Sequence, residues 1–354
     1  MRNRWIAILL VCSMILSCAA CSMKKTKAPD EKSTKEQASG QDGKHKDPKD
    51  PNEKITLRIG FSTDASDPRV EASKVFQSMV EEQTEGRITV ELHADGELGS
   101  DAELIQGIID GKVEMTVSSA GNFANYATKV GVSAFPFLFS NFEDAWAFMD
   151  GEEERKIEEE LEEYNIKVLA HFDNGFRCVT TSKKVGPIQS VADMEGLKIR
   201  TPENQIVMET LSALGANPYV LNFTELYNAL QKGEFDAQEN PVPIIYNHKL
   251  YEVQSYLAVT NHSYDAMPFV IGNDIWEQLT EEDQEILQTA ALEAQKQNRQ
   301  MIQTQTAEYV KKLEKKGMTI TYPDLEEFKQ ATTKVYDYFA DSYGEELMNL
   351  LKNQ

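Results

Sequence analysis

Residues 196–243 constrain the fold of this chain more than any other stretch, because five elements of secondary structure fit into 48 residues. The alternation of apolar and basic residues predicts a strand at residues 197–200, and Pro202 opens a helical pattern that Gly215 ends. A short strand, a second helix and a third strand at residues 235–237 follow. Strands that alternate with helices predict a parallel sheet, in which ligands bind at the carboxyl ends of the strands.

Three side chains in this stretch follow predicted strand ends and are therefore expected to lie at one edge of the sheet. Arg200 ends the first strand, Phe223 precedes the second helix and Asn240 follows the third strand. A guanidinium fork, an aromatic ring and an amide together suit a small organic carboxylate. The spacing leaves a second interpretation open, in which Arg200 pairs with a neighbouring carboxylate and Phe223 packs in the core.

Three segments carry a family resemblance that extends from about residue 55 to the C-terminus. They are LKIRTP at residues 197–202, NFTELYNALQKGEFDAQENP at residues 222–241 and YLAVTNH at residues 256–262. These segments resemble the solute receptors of TRAP transporters, the tripartite ATP-independent importers of organic acids. The resemblance implies an extracytoplasmic receptor that binds a small carboxylate and delivers it to the integral membrane subunits of the transporter.

The resemblance also implies roles for particular residues. The arginine that binds the ligand carboxylate in the family corresponds to Arg200, and a second family arginine corresponds to Arg177, after the predicted turn at Asn174-Gly175. The family's aromatic and asparagine positions correspond to Phe223 and Asn240. The chain departs mildly from the family by carrying Ala237 where glycine is usual, which removes only a permissive backbone position.

The fold that the resemblance implies is α/β and two-lobed, like that of periplasmic binding proteins, with each lobe a mixed sheet flanked by helices. We expect lobe I at residues 54–175 plus about 266–305, and lobe II at residues 176–265 plus about 306–354. A helical pattern capped by Thr280 runs to about residue 316, roughly 50 Å at 1.5 Å per residue. Such a helix exceeds one lobe and resembles the long family helix that spans both.

Two polar loops are expected to line the opposite side of the cleft. Thr63 and Asp64 follow the first predicted strand, and Ser119 and Asn122 follow a later buried strand. Members of the family that bind sialic acid carry Glu and Arg near the second loop, so the serine and asparagine here argue against sialate. A C4-dicarboxylate and a hexuronate-type carboxylate both stay open as ligands.

The N-terminus predicts export and a lipid anchor. A basic start precedes an apolar run at residues 5–16, and Cys21 follows small residues as in a lipoprotein signal peptide at residues 1–21. An ordinary cleaved signal peptide is the alternative. Residues 22–53 are polar and rich in Lys, Asp and Pro, which predicts a disordered tether. Together these features predict a protein held by lipid on the outer face of the cytoplasmic membrane, in a Gram-positive host.

Charge excludes two classes of partner. Residues 54–354 carry 26 basic and 51 acidic side chains, a formal net charge of −25. Nucleic acid and the surface of an anionic membrane are therefore not expected to bind this part of the chain. An anionic ligand has to be captured by local arginines, because the overall field is repulsive. We expect the receptor to be a monomer.

An enzyme finds little support in the sequence. Cys178 is the only cysteine outside the leader. It could in principle form a thiolate pair with His171 or His262, but it lies inside a β-type run that favours an inert thiol. No hydrolase, zinc-protease or nucleotide-binding motif occurs. The histidines are isolated, so we expect no metal site and no cofactor. The glutamate-rich run at residues 151–164 predicts a helix with a solvated face.

Two other functions remain open at this point. A lipoprotein receptor for an ATP-driven importer would share the signal peptide, tether and lobes, and a secreted hydrolase is the less favoured alternative. Neighbouring genes for two membrane subunits, rather than for an ATPase, would distinguish the first alternative from a TRAP receptor.

Overall fold

Two long strands, β4 (Ile166–Thr181) and β8 (Tyr256–Gly272), pair antiparallel through the middle of the molecule. The structure, a computed structural model, describes residues 53–352. The leader, Cys21 and nearly all of the predicted tether lie outside the described residues, so those expectations are not addressed by the fold. In the described part, no helix is both long and apolar enough to cross a membrane.

A group of three parallel strands flanks each side of this central pair. On one side β3 (Met115–Val117) pairs with β8, followed by β1 (Ile55–Gly60) and β2 (Ile88–His93). On the other side β7 (Ala237–Pro241) pairs with β4, followed by β5 (Lys198–Thr201) and β6 (Asn217–Val220). The short β9 (Thr319–Thr321) adds to β8. The expected α/β class with a mixed sheet is confirmed.

The strand register makes the carboxyl ends of the two parallel groups converge. β3 pairs with the end of β8 that lies opposite the start of β4, whereas β7 pairs with the end of β4. The chain directions of β3 and β7 are opposite, since three antiparallel pairings, β3 with β8, β8 with β4 and β4 with β7, separate them. Both groups therefore end facing the middle of β4, around residues 171–177, and ligand-type side chains at strand ends meet there.

Thirteen α-helices cover the faces of the sheet in the described residues. They are α1 (Pro68–Gln83), α2 (Asp101–Ile109), α3 (Ala120–Phe123), α4 (Phe142–Met149), α5 (Glu152–Glu158), α6 (Gln205–Ala213), α7 (Phe223–Lys232), α8 (Val242–Asn247), α9 (Asn273–Trp276), α10 (Glu281–Lys315), α11 (Leu325–Tyr338), α12 (Ala340–Tyr343) and α13 (Glu345–Leu351). Short 3-10 turns, including Glu159–Tyr164, connect several of them.

The long helix α10 is confirmed and connects distant parts of the fold. Thr280 caps it by accepting a hydrogen bond from the Asp283 amide at 3.1 Å. Along its length Gln288, Gln295 and Asn298 bond the backbone of β4 at 2.6, 2.7 and 2.5 Å. The helix packs against α1 near one end and α8 near the other. It therefore fixes the relative position of the elements that carry both parallel strand groups.

Apolar side chains form three buried clusters around the sheet. One lies between α1, α10 and the β1 side, where Phe76 and Phe269 meet edge to face with ring centroids 4.9 Å apart. The largest lies on the side of α2, α6 and α11 and includes Phe135. The third joins α7, α8 and the end of α10. Burial of large side chains at about 25 cal/mol per Å² drives this assembly.

Two local predictions were wrong. The Asn174-Gly175 pair predicted a turn, but it lies inside β4, where Gly175 has a φ of 104° and the register with β8 shifts. Pairing along the whole of β8 therefore outweighs the local turn preference. The helix predicted over the glutamate-rich run ends at Glu158, and Glu154 is fully buried rather than solvated. The division into two lobes stays a prediction, since one sheet runs from β2 to β6.

Candidate functional site

A cleft lies where the two groups of strand ends converge, and the empty space in it, including the part open to solvent, is about 380 Å³. Its walls consist of Ser62, Thr63, Arg69, Asp101, Ser119, Asn122, Asn174, Arg177, Arg200, Pro202, Phe223, Asn240 and Ile244. Seven of the eight ligand-binding residues predicted from the sequence are among them. The eighth, Asp64, lies in an adjoining pocket that shares Thr63 and Phe223 with the cleft.

Arg200, at the end of β5, presents its guanidinium without a carboxylate partner. Its Nε and Nη2 donate to the carbonyl oxygen of Leu221 at 2.9 and 2.5 Å, which leaves three of its five N–H groups for other contacts. The side chain is only 2% exposed. Burial lowers the pKa of Arg200 to about 10, although Glu239 acts in the opposite direction. A buried cation of this type favours an incoming anion.

Arg177, on β4, is held very differently. Its guanidinium bonds both Glu239 and Asp265, and Nη2 also donates to the Glu239 carbonyl oxygen at 3.0 Å and to the Asn240 side-chain oxygen at 3.3 Å. Burial opposes the charged form, but Glu239 and Asp265 outweigh it and raise the pKa of Arg177. At most one N–H of Nη1 is left for a ligand. Arg177 lies at the cleft as predicted, but its charge is compensated internally.

Glu239 is the charge partner that separates the two arginines. Its carboxylate is fully buried, and burial alone would raise its pKa. Arg177 and His262 outweigh burial and lower the pKa of Glu239 to about 2. The Nε2 atom of His262 lies 3.5 Å from Glu239 Oε2. Glu239 therefore stays charged near neutral pH and satisfies Arg177 rather than Arg200.

Asn240 and Phe223 shape the same wall. Asn240 lies within β7, not after it as the sequence suggested, and donates to Gln238 at 2.6 Å. Its amide orientation is therefore fixed by protein contacts. Phe223 begins α7 and meets the His248 ring edge to face, with ring centroids 4.7 Å apart. It supplies an apolar surface next to the two arginines.

The opposite wall comes from the loops after β1 and β3. Ser119 donates to Asp265 at 3.1 Å and Asn122 donates to Ser118 at 2.9 Å. The Thr63 hydroxyl is buried and makes no hydrogen bond with any described residue, so it is available to a ligand. Asp64 instead lies 3.1 Å from His248 Nδ1, beside the cleft.

Sequence reasoning missed two charged groups of this wall, Arg69 and Asp101. Arg69, in the first turn of α1, is 4% exposed and bonds Asp67 at 3.0 Å. Asp101 begins α2 and accepts hydrogen bonds from Ser62 at 2.8 Å and Ser118 at 2.7 Å. The sequence could have indicated Arg69, because it directly follows Asp67 and Pro68, which begin the helix after β1. No local motif marks Asp101, which reaches the cleft through the fold.

The charges around the cleft leave one cation uncompensated. Arg69 is paired with Asp67, and Arg177 is paired with both Glu239 and Asp265. Arg200 alone among the three arginines has no ion pair with a described residue. Asp101 adds a negative charge on the facing wall. The arrangement therefore suits one carboxylate together with hydroxyl groups that can donate to acceptors.

Cys178 does not offer a catalytic thiolate. It is buried in β4, and its Sγ lies 3.3 Å from the side-chain oxygen of Asn261. Burial raises the pKa of the Cys178 thiol to about 11, so the nucleophilic thiolate is scarce near neutral pH.

Comparison with known proteins finds one family over most of the chain. The model of the DctP family, bacterial extracellular solute-binding protein family 7, matches residues 59–342. The 2,3-diketo-L-gulonate-binding periplasmic protein YiaO of Escherichia coli (strain K12) is 32% identical over 286 residues, which are 80% of this chain and 87% of that protein.

Solved structures agree with this chain in fold. The TRAP periplasmic solute-binding protein of Polaromonas sp. JS666, bound to D-erythronate, matches with a TM-score of 0.81 and 30% identity, covering 84% of this chain and 98% of that one. A second, from Roseobacter denitrificans OCh 114 with bound L-galactonate, matches with a TM-score of 0.79 and 30% identity, covering 85% and 98%.

Proposed function

The chain belongs to family 7 of the bacterial extracellular solute-binding proteins, the DctP family of TRAP solute receptors, and we propose that its ligand is a monocarboxylate sugar acid. Receptors of this family bind small organic acids outside the cytoplasm, and related proteins are described with D-erythronate and L-galactonate. The uncompensated guanidinium of Arg200 is the observation that carries the proposal.

The ligand carboxylate pairs with Arg200. Three free N–H groups of this guanidinium are enough for a two-point contact with a carboxylate, which is stronger than contact with a point charge. The surroundings exclude water, since the side chain is nearly fully buried. Arg177 contributes one further donor and holds the wall in place through Glu239 and Asp265.

The hydroxyl groups of the ligand find acceptors on the facing wall. Asp101 is an anion that already accepts from two serines, and the hydroxyl of Thr63 has no hydrogen-bond partner in the described part of the chain. Asn122 and Asn240 add amide groups that fix orientation. A polyhydroxylated acid satisfies these groups, whereas a bare dicarboxylate places a second anion near Asp101. Phe223 covers an apolar face of the ligand.

A C4-dicarboxylate is the second candidate, and one observation favours it. Asp67, the partner of Arg69, also lies 3.5 Å from His248 Nε2. If Asp67 pairs with His248 instead, Arg69 becomes a second free guanidinium in the cleft. The two ligand classes therefore differ in whether the Arg69–Asp67 pair stays intact.

Binding of the ligand to both walls stabilises the closed form of the two lobes, and the membrane subunits of the transporter recognise that form. The receptor acts as a monomer, carries no catalytic activity and does not bind nucleic acid. Family membership disfavours an ATP-driven importer as its partner. A lipid on Cys21 holds it at the outer face of the cytoplasmic membrane of a Gram-positive host.

Calorimetric titration with single acids tests the ligand class. D-erythronate and L-galactonate should bind with one site per chain, and succinate should bind at least about tenfold more weakly. Neutral galactose should not bind, since it lacks the carboxylate. Tight binding of succinate with no binding of either sugar acid would reject the sugar-acid proposal in favour of the dicarboxylate.

Cell fractionation tests the anchor. The wild type should label with palmitate and sediment with membranes, and Cys21→Ser should lose both properties. Cys18→Ser is the matched control and should behave like the wild type. Loss of labelling in Cys18→Ser with retention in Cys21→Ser would reassign the lipidated residue.

A further inference from the structure

A buried cluster of three side chains lies away from the ligand cleft. Glu154 and Glu158 are one helical turn apart on α5, and His171 lies on the neighbouring β4. The side chain of Glu154 is 0% exposed, that of His171 7% and that of Glu158 11%. One ligand-type atom from each residue lies within 4.8 Å of the other two.

The cluster lacks hydrogen-bond donors for its buried acceptor atoms. Neither carboxylate oxygen of Glu154 makes a hydrogen bond with any residue between 53 and 352, the range that the structure describes. His171 Nε2 is in close contact with Glu158 Oε1, yet the geometry of that contact is not that of a hydrogen bond. In the described part of the chain, no lysine or arginine pairs with Glu154 or Glu158. His171 is therefore the one basic group beside the two carboxylates in the described part of the chain, and a single imidazole leaves this buried pair poorly compensated.

A proton compensates this cluster only in part. Burial, and next the charge of Glu158, raises the pKa of Glu154 well above its usual range. Four buried atoms of the cluster lack hydrogen bonds in the described residues: both carboxylate oxygens of Glu154, Oε1 of Glu158 and Nε2 of His171. One added proton forms a single hydrogen bond, which satisfies only two of these atoms. A divalent cation contacts an oxygen from each glutamate and the imidazole nitrogen at the same time. The convergence of lone pairs from three residues therefore favours a cation over a proton.

We propose that Glu154, Glu158 and His171 form a binding site for a divalent transition metal, with Zn²⁺ as the preferred ion. Zn²⁺ accepts both imidazole nitrogen and carboxylate oxygen as ligands, and three protein ligands leave a fourth position for water. In the structure the three donor atoms lie within 4.8 Å of one another. Zinc binds such ligands at about 2.0–2.2 Å, so the donor atoms have to move closer together to hold the ion.

The positions of the ligands suit a structural role. Glu154 and Glu158 share one face of α5 because they are four residues apart. The backbone of His171 is fixed by a 2.7 Å hydrogen bond from its amide to Gln295 of α10. A bound ion would therefore fasten α5 to the central strand β4 and, through it, to the long helix. The partial exposure of Glu158 provides access for the ion.

Zinc titration of the full chain tests the site. Cys12, Cys18 and Cys21 are replaced by serine so that the thiols of the leader do not compete for the metal. This triple variant is the parent for all further substitutions. After treatment with EDTA, the protein should bind one Zn²⁺ per chain and unfold at a higher temperature with Zn²⁺ than without it. X-ray absorption should show only nitrogen and oxygen ligands. Mn²⁺ should bind more weakly, following the usual order of divalent affinities.

Two variants and one control complete the test. His171→Ala and Glu154→Gln should each weaken Zn²⁺ binding at least about tenfold, since loss of outer-shell partners alone has effects of that size. Glu154→Gln also removes the buried charge, so it should fold without metal at least as well as the parent. His93→Ala is the control, because His93 lies 3.3 Å from Glu91 and 3.1 Å from Glu97 on the surface.

The control should bind Zn²⁺ like the parent. The proposal is overturned if the parent shows no stoichiometric Zn²⁺ binding or no Zn²⁺-dependent stabilisation. It is equally overturned if Glu154→Gln and His171→Ala keep the parent affinity, or if His93→Ala loses it. Because the ligand cleft does not include these residues, sugar-acid binding should be the same in all variants.

Discussion

Glu239 Oε1 lies 2.8 Å from Arg177 Nη2, and this contact decides which arginine of the cleft is available to an anion. The two residues are diagonal neighbours in the β4–β7 pairing, since Arg177 lies opposite Pro241 and Glu239 opposite Val179, and Arg177 also bonds the Glu239 carbonyl oxygen. Arg200 lies on the next strand, and among the residues that the structure describes its guanidinium bonds only the carbonyl oxygen of Leu221. One arginine therefore stabilises the fold, and the other is kept for the ligand.

Replacement of these two arginines by methionine should have opposite effects on stability. Arg177→Met leaves Glu239 and Asp265 buried without their cation and should lower the free energy of unfolding by about 3–5 kcal/mol. Arg200→Met removes a buried cation that has no ion pair, so its unfolding free energy should equal or exceed that of the wild type. Urea unfolding without ligand measures both. Equal losses for the two variants would contradict the division of roles.

Acid should remove the stabilisation that Glu239 provides. The folded-state pKa of about 2 is lower than the ordinary value of 4.5, so this stabilisation is present above about pH 4.5 and is lost as the pH falls towards 2. The free energy of unfolding of the wild type should therefore fall by roughly 2 kcal/mol relative to that of Glu239→Gln between pH 7 and about pH 3. Urea unfolding of both proteins across this range checks it, and a constant difference would show that the carboxylate pKa is not depressed.

Gly121 should control how closely the two walls approach. A Cβ atom at this position would lie 2.0 Å from the side-chain nitrogen of Asn204, the N-cap of α6. Gly121→Ala should therefore hold the walls apart and weaken ligand binding at least about tenfold, while the fold is retained because α3 itself tolerates alanine. Calorimetric titration with the best sugar acid measures the change.

A second variant separates closure from a local defect at Gly121. Asn204→Gly removes the side chain that collides, and glycine at an N-cap costs only a few tenths of a kcal/mol. The double variant Gly121→Ala with Asn204→Gly should recover most of the lost affinity. If the double variant binds as weakly as Gly121→Ala alone, contact with Asn204 is not the cause.

Local chemistry made much of the fold predictable. The cap at Thr280 and the absence of breakers up to Lys315 were enough to predict α10, and the alternation in LKIR was enough to predict β5. These features depend on neighbours a few residues apart. The turn predicted at Asn174-Gly175 was wrong because its conformation is decided by pairing with β8, about 90 residues further along the chain.

The electrostatics of the cleft could not be predicted in the same way. Arg177 and Glu239 are separated by 62 residues, and only the fold shows that Arg177 is compensated and Arg200 is not. Glu154 lies in a run of glutamates that is typical of a solvated face, yet its side chain turns inward against His171 of β4. Charge partners across a sheet carry no signal in local sequence, so such pairs need the structure.

Titration of Arg200→Lys with L-galactonate, or with whichever sugar acid the wild type binds best, tests the account most directly. Lysine keeps the charge but not the fork, so affinity should fall at least about 100-fold, or about 2.7 kcal/mol. Arg58→Lys, at an arginine paired with Glu114 outside the cleft, should bind like the wild type. Affinity of Arg200→Lys within about threefold of the wild type would contradict the assignment of Arg200 as the residue that captures the ligand carboxylate.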